Sequence, residues 1–210
     1  MSLTKEQFIT EFKDIALKLY AAPLDDLSTQ QLYQALALLT RSYIGQPWAE
    51  TKKRYDQEET KQVFYFSIEF LPGRLLQSNL LNLGILSEVE AGLNELGLRP
   101  QKIFDAEADP GLGNGGLGRL ASAFMDAMAS VGMAGNGNGI RYQYGLFKQA
   151  FVNGYQVELP DDWMRNGFAW ETRKENRAVT VKFGGWVELR PSRSGNLRVI
   201  YHNTDDVLAV

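Results

Sequence analysis

A glycine-rich segment that runs into a helix-forming stretch constrains this chain more than any other feature. Residues 109–126 read DPGLGNGGLGRLASAFMD, with five glycines in eight positions before strong helix formers follow. Glycine lacks a Cβ atom, so such a loop allows a ligand to approach its backbone closely. The first turn of the following helix offers free N–H groups and the positive end of the helix dipole. The segment therefore predicts an anion site, most commonly one for phosphate.

Two familiar phosphate motifs fit this segment poorly. The pattern G-x-G-x-x-G occurs in two overlapping registers. A dinucleotide site, however, also needs a hydrophobic strand just upstream and an acidic residue about 20 positions downstream. The upstream residues 105–110 are acidic and strand-averse, and the downstream region offers no carboxylate. A Walker loop is excluded because no Gly-Lys-Ser/Thr follows the glycines. A turn that only packs a helix against a strand is the structural alternative.

Composition excludes several classes of function. The net charge is −3 with acids and bases interspersed, which suggests neither a nucleic-acid nor a membrane-surface partner. Cysteine is absent, so no disulfide framework or thiolate metal site can form. The single histidine, His202, argues against a zinc site and is interpreted as a surface residue. The polar N-terminus resembles no signal peptide and no stretch reaches the length of a membrane span, so we expect a cytoplasmic protein.

The first 62 residues are predicted to be helical. Thr4 and Gln7 form a potential capping box before an apolar pattern of helical period. Ser28 and Gln31 repeat this arrangement before a second helix. The highly charged stretch 51–62 is predicted to be a solvated connection or an exposed helix end.

Strand and helix patterns then alternate. The near-continuous apolar run 63–68 predicts a strand covered on both faces. Helical character resumes over 74–83, and Ser87 with Glu90 predicts the cap of a short helix. The helix after the glycines is predicted to bury one apolar face, formed by Leu117, Leu120, Ala121, Phe124, Met125 and Met128.

From residue 139 onward the chain is predicted to be rich in β-hairpins. Asn153-Gly154 suits a type I′ turn between two strands. The strands 179–183 and 186–189, separated by Gly184-Gly185, predict a second hairpin. The sequence stops inside the apolar run 207–210, from which we expect a longer parent protein.

Three further segments carry residues suited to a ligand. Glu69 and Arg74 follow the first strand, at the end where ligands bind in open α/β sheets, although a capping Glu and a structural Arg remain the alternative. The aromatics of 139–147 are interpreted as core residues rather than a sugar platform. In 161–167, two aspartates beside Trp163 suit a sugar, but adjacent aspartates also form turns.

Several ordered blocks resemble one family. The chain is similar to the N-terminal part of the α-glucan phosphorylases (glycogen, starch and maltodextrin phosphorylase) from about Val63 to Trp163, and more loosely to Val210. The blocks that carry the resemblance are YFSIEF (65–70) with Gly73-Arg74, GLGNGGLGRLA (111–121), GIRY (139–142), GLF (145–147) and DDW (161–163).

The resemblance implies a fold and a reaction. The fold class would be α/β: residues 63–210 would form an incomplete N-terminal Rossmann-like domain of a two-domain GT-B-type glycosyltransferase, after an N-terminal helical region, 1–62. Inorganic phosphate would cleave an α-1,4-glucan and release glucose 1-phosphate with retained configuration. The full-length enzyme would hold pyridoxal phosphate on its C-terminal domain and form a homodimer.

The resemblance also implies site residues. Gly115 and Gly116 would line the cofactor and phosphate region, with the Gly116 N–H donating to the substrate phosphate. Asn114 and Leu117 would contact the glucosyl unit, and Glu69 would lie at the edge of that sugar site. No catalytic residue and no metal ligand is expected in this portion.

Some positions depart from the family pattern. Leu71, Asn136 and Asn138 stand where the family commonly has aromatic residues. The lysine that attaches the cofactor and the cleft histidines have no counterpart here, so we expect the isolated chain to be inactive. The alternatives are a nucleotide-dependent oxidoreductase that uses the glycine loop, and a non-catalytic carbohydrate-binding module.

Overall fold

The computed structural model describes residues 3–192 and 194–210, which belong to two compact units, Met1–Trp170 and Glu171–Val210. The helices are α1 (Lys5–Tyr20), α2 (Thr29–Gln57), α3 (Leu76–Asn82), α4 (Leu86–Glu95), α5 (Pro100–Asp105) and α6 (Gly116–Ser130). The strands are β1 (Val63–Phe66), β2 (Gly135–Asn138), β3 (Phe147–Val152), β4 (Tyr155–Pro160), β5 (Val179–Phe183), β6 (Trp186–Pro191), β7 (Leu197–His202) and β8 (Asp205–Ala209). The mixed α/β class is as predicted. Within the described ranges, no helix combines the length and apolar character needed to cross a membrane.

Both predicted capping boxes are confirmed. The Thr4 hydroxyl accepts a hydrogen bond from the Gln7 amide at 3.2 Å, and the Gln7 side chain accepts one from the Thr4 amide at 2.9 Å. Ser28 and Gln31 make the same pair of contacts at 3.3 and 2.9 Å. These contacts satisfy N–H groups that have no partner inside their helices. α2 includes much of the charged stretch, which is therefore an exposed helix end.

The main hydrophobic core of the first unit lies among α1–α5. Phe8 and Phe12 stack with ring centroids 5.5 Å apart. Other large side chains that are fully or almost fully buried there are Leu36, Leu76, Leu80, Ile85, Val89, Leu93 and Ile103. Each such side chain contributes about 1.5–3 kcal/mol through its removal from water.

The predicted cap of α4 is wrong. Ser87 lies inside the helix, and its hydroxyl donates to the neighbouring Glu88 carboxylate at 2.8 Å. The helix begins after Ile85, and no side chain caps it. Ile85, Val89 and Leu93 are buried at helical spacing, so core packing rather than a local cap fixes where this helix starts.

Strands β1 and β2 are parallel, with Val63 opposite Gly135 and Phe66 opposite Asn138. The connection between them contains α3–α6, and its last helix, α6, packs against β2, so these elements form a β-α-β unit with an extended crossover. β2 reads GNGN and was not predicted, because glycine and asparagine have low strand propensity. Hydrogen-bonded pairing with β1 stabilises β2 despite the low strand propensity of its residues.

The prediction that β1 is covered on both faces is wrong. Tyr65 packs against Phe124 and Phe70, with ring centroids 5.8 and 6.2 Å away. Phe64 and Phe66, which point to the other face, are 59% and 77% exposed. Among the described elements, α6 packs against the face of β1 that carries Tyr65.

The predicted burial of α6 is also wrong in part, since about half of the surface of three of its residues is exposed: Leu117, Leu120 and Phe124.

The first predicted hairpin is confirmed and the second is wrong. β3 and β4 pair around Asn153 and Gly154, which have positive φ angles of 51° and 80°. In the second unit β5 pairs with β8 and β6 with β7, in one continuous register. The Gly184-Gly185 pair therefore lies within a long ribbon, opposite residues 203–204, rather than at its turn. Both glycines have positive φ, which interrupts the ladder without reversing the chain.

Candidate functional site

The glycine loop lies at the carboxyl end of β1 and is joined to the segment that follows this strand. The Phe70 amide donates to the carbonyl of Leu112, and the Leu71 amide donates to the carbonyl of Gly118, both at 2.9 Å. The preceding element is the short helix α5 rather than a strand. This arrangement argues against a dinucleotide fingerprint, which requires a strand directly before its glycines.

Three of the loop glycines are explained by packing inside the chain. A Cβ atom on Gly111 would lie 2.6 Å from the Trp163 ring, and one on Gly113 would lie 2.9 Å from the Phe70 carbonyl oxygen. A Cβ atom on Gly118 would lie 3.0 Å from the carboxylate of Glu69. These three positions fit the structural alternative, in which glycine allows a helix and a loop to approach neighbouring backbone.

Gly115 and Gly116 have a different environment. A Cβ atom on either residue would meet no atom within 4 Å. Gly115 has φ −152°, an extended conformation that other residues adopt readily, and Gly116 is not among the residues with positive φ. Neither packing nor backbone conformation within the described chain requires glycine there. The open space over these two residues leaves room for a ligand at the backbone.

The N-terminus of α6 has no side-chain cap. Gly115 is the N-cap residue, and it has no side chain to accept from the first amides of the helix. In the described structure no acceptor is assigned to the amides of Gly115, Gly116 and Leu117. These N–H groups carry the positive end of the helix dipole, so the geometry suits a phosphate or another anion.

Glu69 holds the loop in place. Its Oε2 atom accepts a hydrogen bond from the Asn114 amide at 2.8 Å. The Ser67 hydroxyl donates to the Glu69 carbonyl at 2.7 Å, which fixes the backbone after β1. The residues predicted to bind substrate therefore lie together: Glu69, Asn114, Gly116 and Leu117. Asn114 is exposed and Leu117 is half exposed, so both are accessible to a ligand.

Arg74 and Trp163 do not join this cluster. The Arg74 guanidinium donates to the Asp105 carboxylate at 2.9 Å, which fits the structural interpretation of this arginine. Trp163 is only 5% exposed, and its indole N–H donates to the Tyr142 carbonyl at 3.2 Å. Its ring packs against Gly111 of the glycine loop. Trp163 therefore supports the loop and does not make the sugar contact that the sequence suggested.

The positions that depart from the family pattern have local partners. The side-chain Nδ2 of Asn136 donates to the Gln62 side chain at 3.0 Å, and the side-chain Nδ2 of Asn138 donates to the Asn136 backbone carbonyl at 3.2 Å. The side chain of Leu71 lies near Gly118 at the start of α6.

His202 has no catalytic arrangement. It is the last residue of β7, where its ring stacks on Trp186 at 4.2 Å and its Nε2 atom lies 2.9 Å from the Glu188 carboxylate. Hydrogen bonds from Arg190, then from His202, hold the pKa of Glu188 below its ordinary value. The surface position expected for His202 is confirmed only in part, because the residue lies in a strand and 32% of its side chain is exposed.

Sequence reasoning missed the buried carboxylate of Glu107. It is 3% exposed, and it accepts hydrogen bonds from the Leu76 amide at 2.9 Å and the Trp170 indole at 2.8 Å. Burial, followed by the charge of Glu107, raises the pKa of Tyr33 above its ordinary value. Glu107 stands in an acidic run, and nothing in that run distinguishes the buried carboxylate from the exposed ones.

Comparison with known proteins is consistent with this geometry. The family model described as carbohydrate phosphorylase matches residues 93–210. The glycogen phosphorylase of Bacillus subtilis is 43% identical over 210 residues, which are 100% of this chain and 26% of that protein. The glycogen phosphorylase of Chlamydia pneumoniae is 40% identical over 186 residues, covering 89% of this chain and 23% of that protein. The brain form of human glycogen phosphorylase is 43% identical over 157 residues, covering 75% of this chain and 19% of that protein.

The chain thus spans about a quarter or less of the length of these relatives. The family match covers more than half of the described chain, including the whole glycine loop and α6. The chain belongs to the carbohydrate phosphorylase family.

Proposed function

We propose that this chain is a portion of an α-1,4-glucan phosphorylase, which releases glucose 1-phosphate from glycogen or maltodextrin with inorganic phosphate. Family membership supports the reaction class. The observation that carries the proposal within the structure is the open backbone at Gly115 and Gly116. Preorganised amides aimed at a phosphate need little reorganisation as charge shifts during the reaction, so they favour the transition state.

Within this proposal the β-α-β unit is part of an incomplete Rossmann-like domain, residues 63–210. That domain belongs to a two-domain glycosyltransferase of the GT-B type, and residues 1–62 form the N-terminal helical region before it. The parallel pairing of β1 and β2 supports this assignment. In open sheets of this kind, ligands bind beyond the carboxyl ends of the strands. The glycine loop lies at that end of β1.

The site residues have distinct proposed roles. The Gly116 N–H donates to the substrate phosphate, and Gly115 lies beside it along the cofactor region. Asn114 and Leu117 contact the glucosyl unit and orient it. Glu69 borders the sugar site, and it also holds the loop through its hydrogen bond from the Asn114 amide.

The residues present fit the phosphate end of a pyridoxal phosphate cofactor. The unobstructed amides of Gly115 and Gly116 offer hydrogen-bond donors and no competing side chain. When bound in the full-length enzyme, the cofactor supplies a phosphate group that exchanges a proton with the substrate phosphate. This chain's own contribution is to bind and orient phosphate groups. We further propose that the full-length protein is cytoplasmic and forms a homodimer.

Inorganic phosphate tests the proposal on the chain itself. In a two-dimensional NMR titration of the ¹⁵N-labelled protein, we expect phosphate to shift the amides of residues 115–117 in a saturable manner. Gly116→Ala places a methyl group in the open space and is expected to weaken this binding. Gly45→Ala is the matched control. A Cβ atom on Gly45 also meets nothing within 4 Å, but this residue lies in α2 and outside the glycine loop.

Two outcomes would contradict the proposal. One is the absence of phosphate-dependent shifts at residues 115–117. The other is a stronger response of these amides to NADH than to phosphate, which would favour an oxidoreductase. Activity gives a second measurement: we expect no glucose 1-phosphate from maltodextrin with the isolated chain, and production by a polypeptide of full family length that contains it.

A further inference from the structure

We propose that the cleft between α3 and α6 binds a neutral, polyhydroxylated ligand, namely a hexose unit or a short oligosaccharide. The cleft has a volume of about 730 Å³, which lies in the range of small-molecule sites. Its lining does not include the amides at residues 115–117. The inference therefore concerns a separate site and does not rest on the proposed phosphate contacts.

The wall of the cleft offers both donors and acceptors. Its polar residues include Arg74, Ser78, Asn82, Arg119, Ser122 and Asp126. Guanidinium groups only donate, a carboxylate only accepts, and amides and hydroxyls do both. Sugar hydroxyls also donate and accept, so they match such a mixed lining. Phe70, Pro72 and Met125 add apolar surface for the C–H groups of a sugar ring.

Ser122 adds a buried polar group to the wall of the cleft. It is only 5% exposed, and its hydroxyl oxygen has no hydrogen-bond partner within the described part of the chain. A serine in a helix often donates to the carbonyl four residues earlier. Here that carbonyl, on Gly118, accepts instead from the Leu71 amide at 2.9 Å. Ser122 is also one of the residues that line the cleft, so a ligand hydroxyl bound there is the candidate partner for this side chain.

The charges favour a neutral ligand over an anion. Asp126 places a carboxylate on the wall of the cleft. The Arg74 guanidinium is paired with Asp105 at 2.9 Å, and Arg119 donates to the Leu71 carbonyl at 3.3 Å. A doubly charged phosphate would meet an unfavourable carboxylate and arginines that are already engaged. A sugar carries no charge, and it can accept from the arginines' remaining N–H groups and donate to Asp126.

Maltotriose is the probe, followed by NMR of the ¹⁵N-labelled chain. We expect saturable shifts of amides along both walls, in residues 78–82 of α3 and 122–130 of α6. Ala129→Trp should fill the cleft and weaken maltotriose binding about tenfold or more. Ala127→Trp is the matched control, because Ala127 is also exposed on α6 but does not line the cleft.

A second pair of variants tests the opposite wall. Ser78→Trp blocks the cleft from α3, whereas Gln77→Trp alters an exposed neighbour outside it. Loss of binding in both blocking variants, with retention in both controls, would support the proposal. Absence of saturable shifts with maltotriose, or equal binding by blocking and control variants, would overturn it. Shifts of these amides with inorganic phosphate instead would overturn the neutral ligand, whatever happens at residues 115–117.

Discussion

Replacement of Gly113 by alanine tests the division of the loop glycines into packing positions and open positions. The new Cβ atom would lie 2.8 Å from the Glu69 Cβ atom, 2.9 Å from the Phe70 carbonyl oxygen and 3.0 Å from the Phe70 amide nitrogen. Two of these are backbone atoms, and the Phe70 amide is held by its hydrogen bond to Leu112. The loop must therefore move, and we expect the free energy of unfolding to fall by about 1–3 kcal/mol.

Gly115→Ala is the matched variant. Its Cβ atom meets nothing within 4 Å and its φ angle suits alanine, so we expect a change within about 0.5 kcal/mol. Urea unfolding, followed by tryptophan fluorescence and far-UV circular dichroism, measures both. With an m value of about 2 kcal/mol/M, the Gly113→Ala midpoint should fall by about 0.5–1.5 M. Equal destabilisation by the two variants, or none in Gly113→Ala, would refute the reasoning.

Three further outcomes follow from the packing of the first unit. Glu107→Ala removes the acceptor for the Leu76 amide and the Trp170 indole, and it should cost about 2–4 kcal/mol in urea unfolding; an unchanged midpoint would contradict this. Burial of Tyr33 raises its pKa in the folded state, so the unfolded chain loses this proton first as the pH rises above 10.0, and the free energy of unfolding falls there. Tyr33→Phe should reduce the loss of unfolding free energy between pH 9 and 11. Ser28→Ala removes a cap worth about 0.5–2 kcal/mol, and an unaltered melting temperature would argue against that capping box.

Local interactions were predictable from the sequence, and distant ones were not. Thr4 and Ser28 cap helices through residues three positions away, so the signal lies within one short window. Strand β2 depends on pairing with β1, more than 60 residues earlier, and its own GNGN sequence carries no strand signal. The Gly184-Gly185 pair has the φ angles of a turn, but the register of the ribbon is set by β7 and β8.

The candidate site shows the same limit. The glycine loop and its helix were evident from spacing alone, as was the position of Glu69 after a strand. The distinct role of Gly111 depends on Trp163, 52 residues later, and that of Gly113 depends on Phe70. No pattern within the loop separates these glycines from Gly115 and Gly116, because the difference lies in which neighbours approach them.

Glu69 has two opposing effects on the proposed phosphate site, and they can be separated. Its carboxylate orders the loop by accepting from the Asn114 amide, yet its negative charge lies near the amides proposed to bind phosphate. Like charges 5–10 Å apart near a protein surface repel by roughly 0.5–3 kcal/mol. Glu69→Gln keeps an acceptor oxygen and removes the charge, so we expect phosphate to bind several-fold more tightly in NMR titrations at constant ionic strength. Glu69→Ala removes the acceptor as well and should loosen the loop and weaken binding. Equal weakening by both substitutions would show that the charged carboxylate itself is needed to order the loop, and that repulsion does not limit phosphate binding.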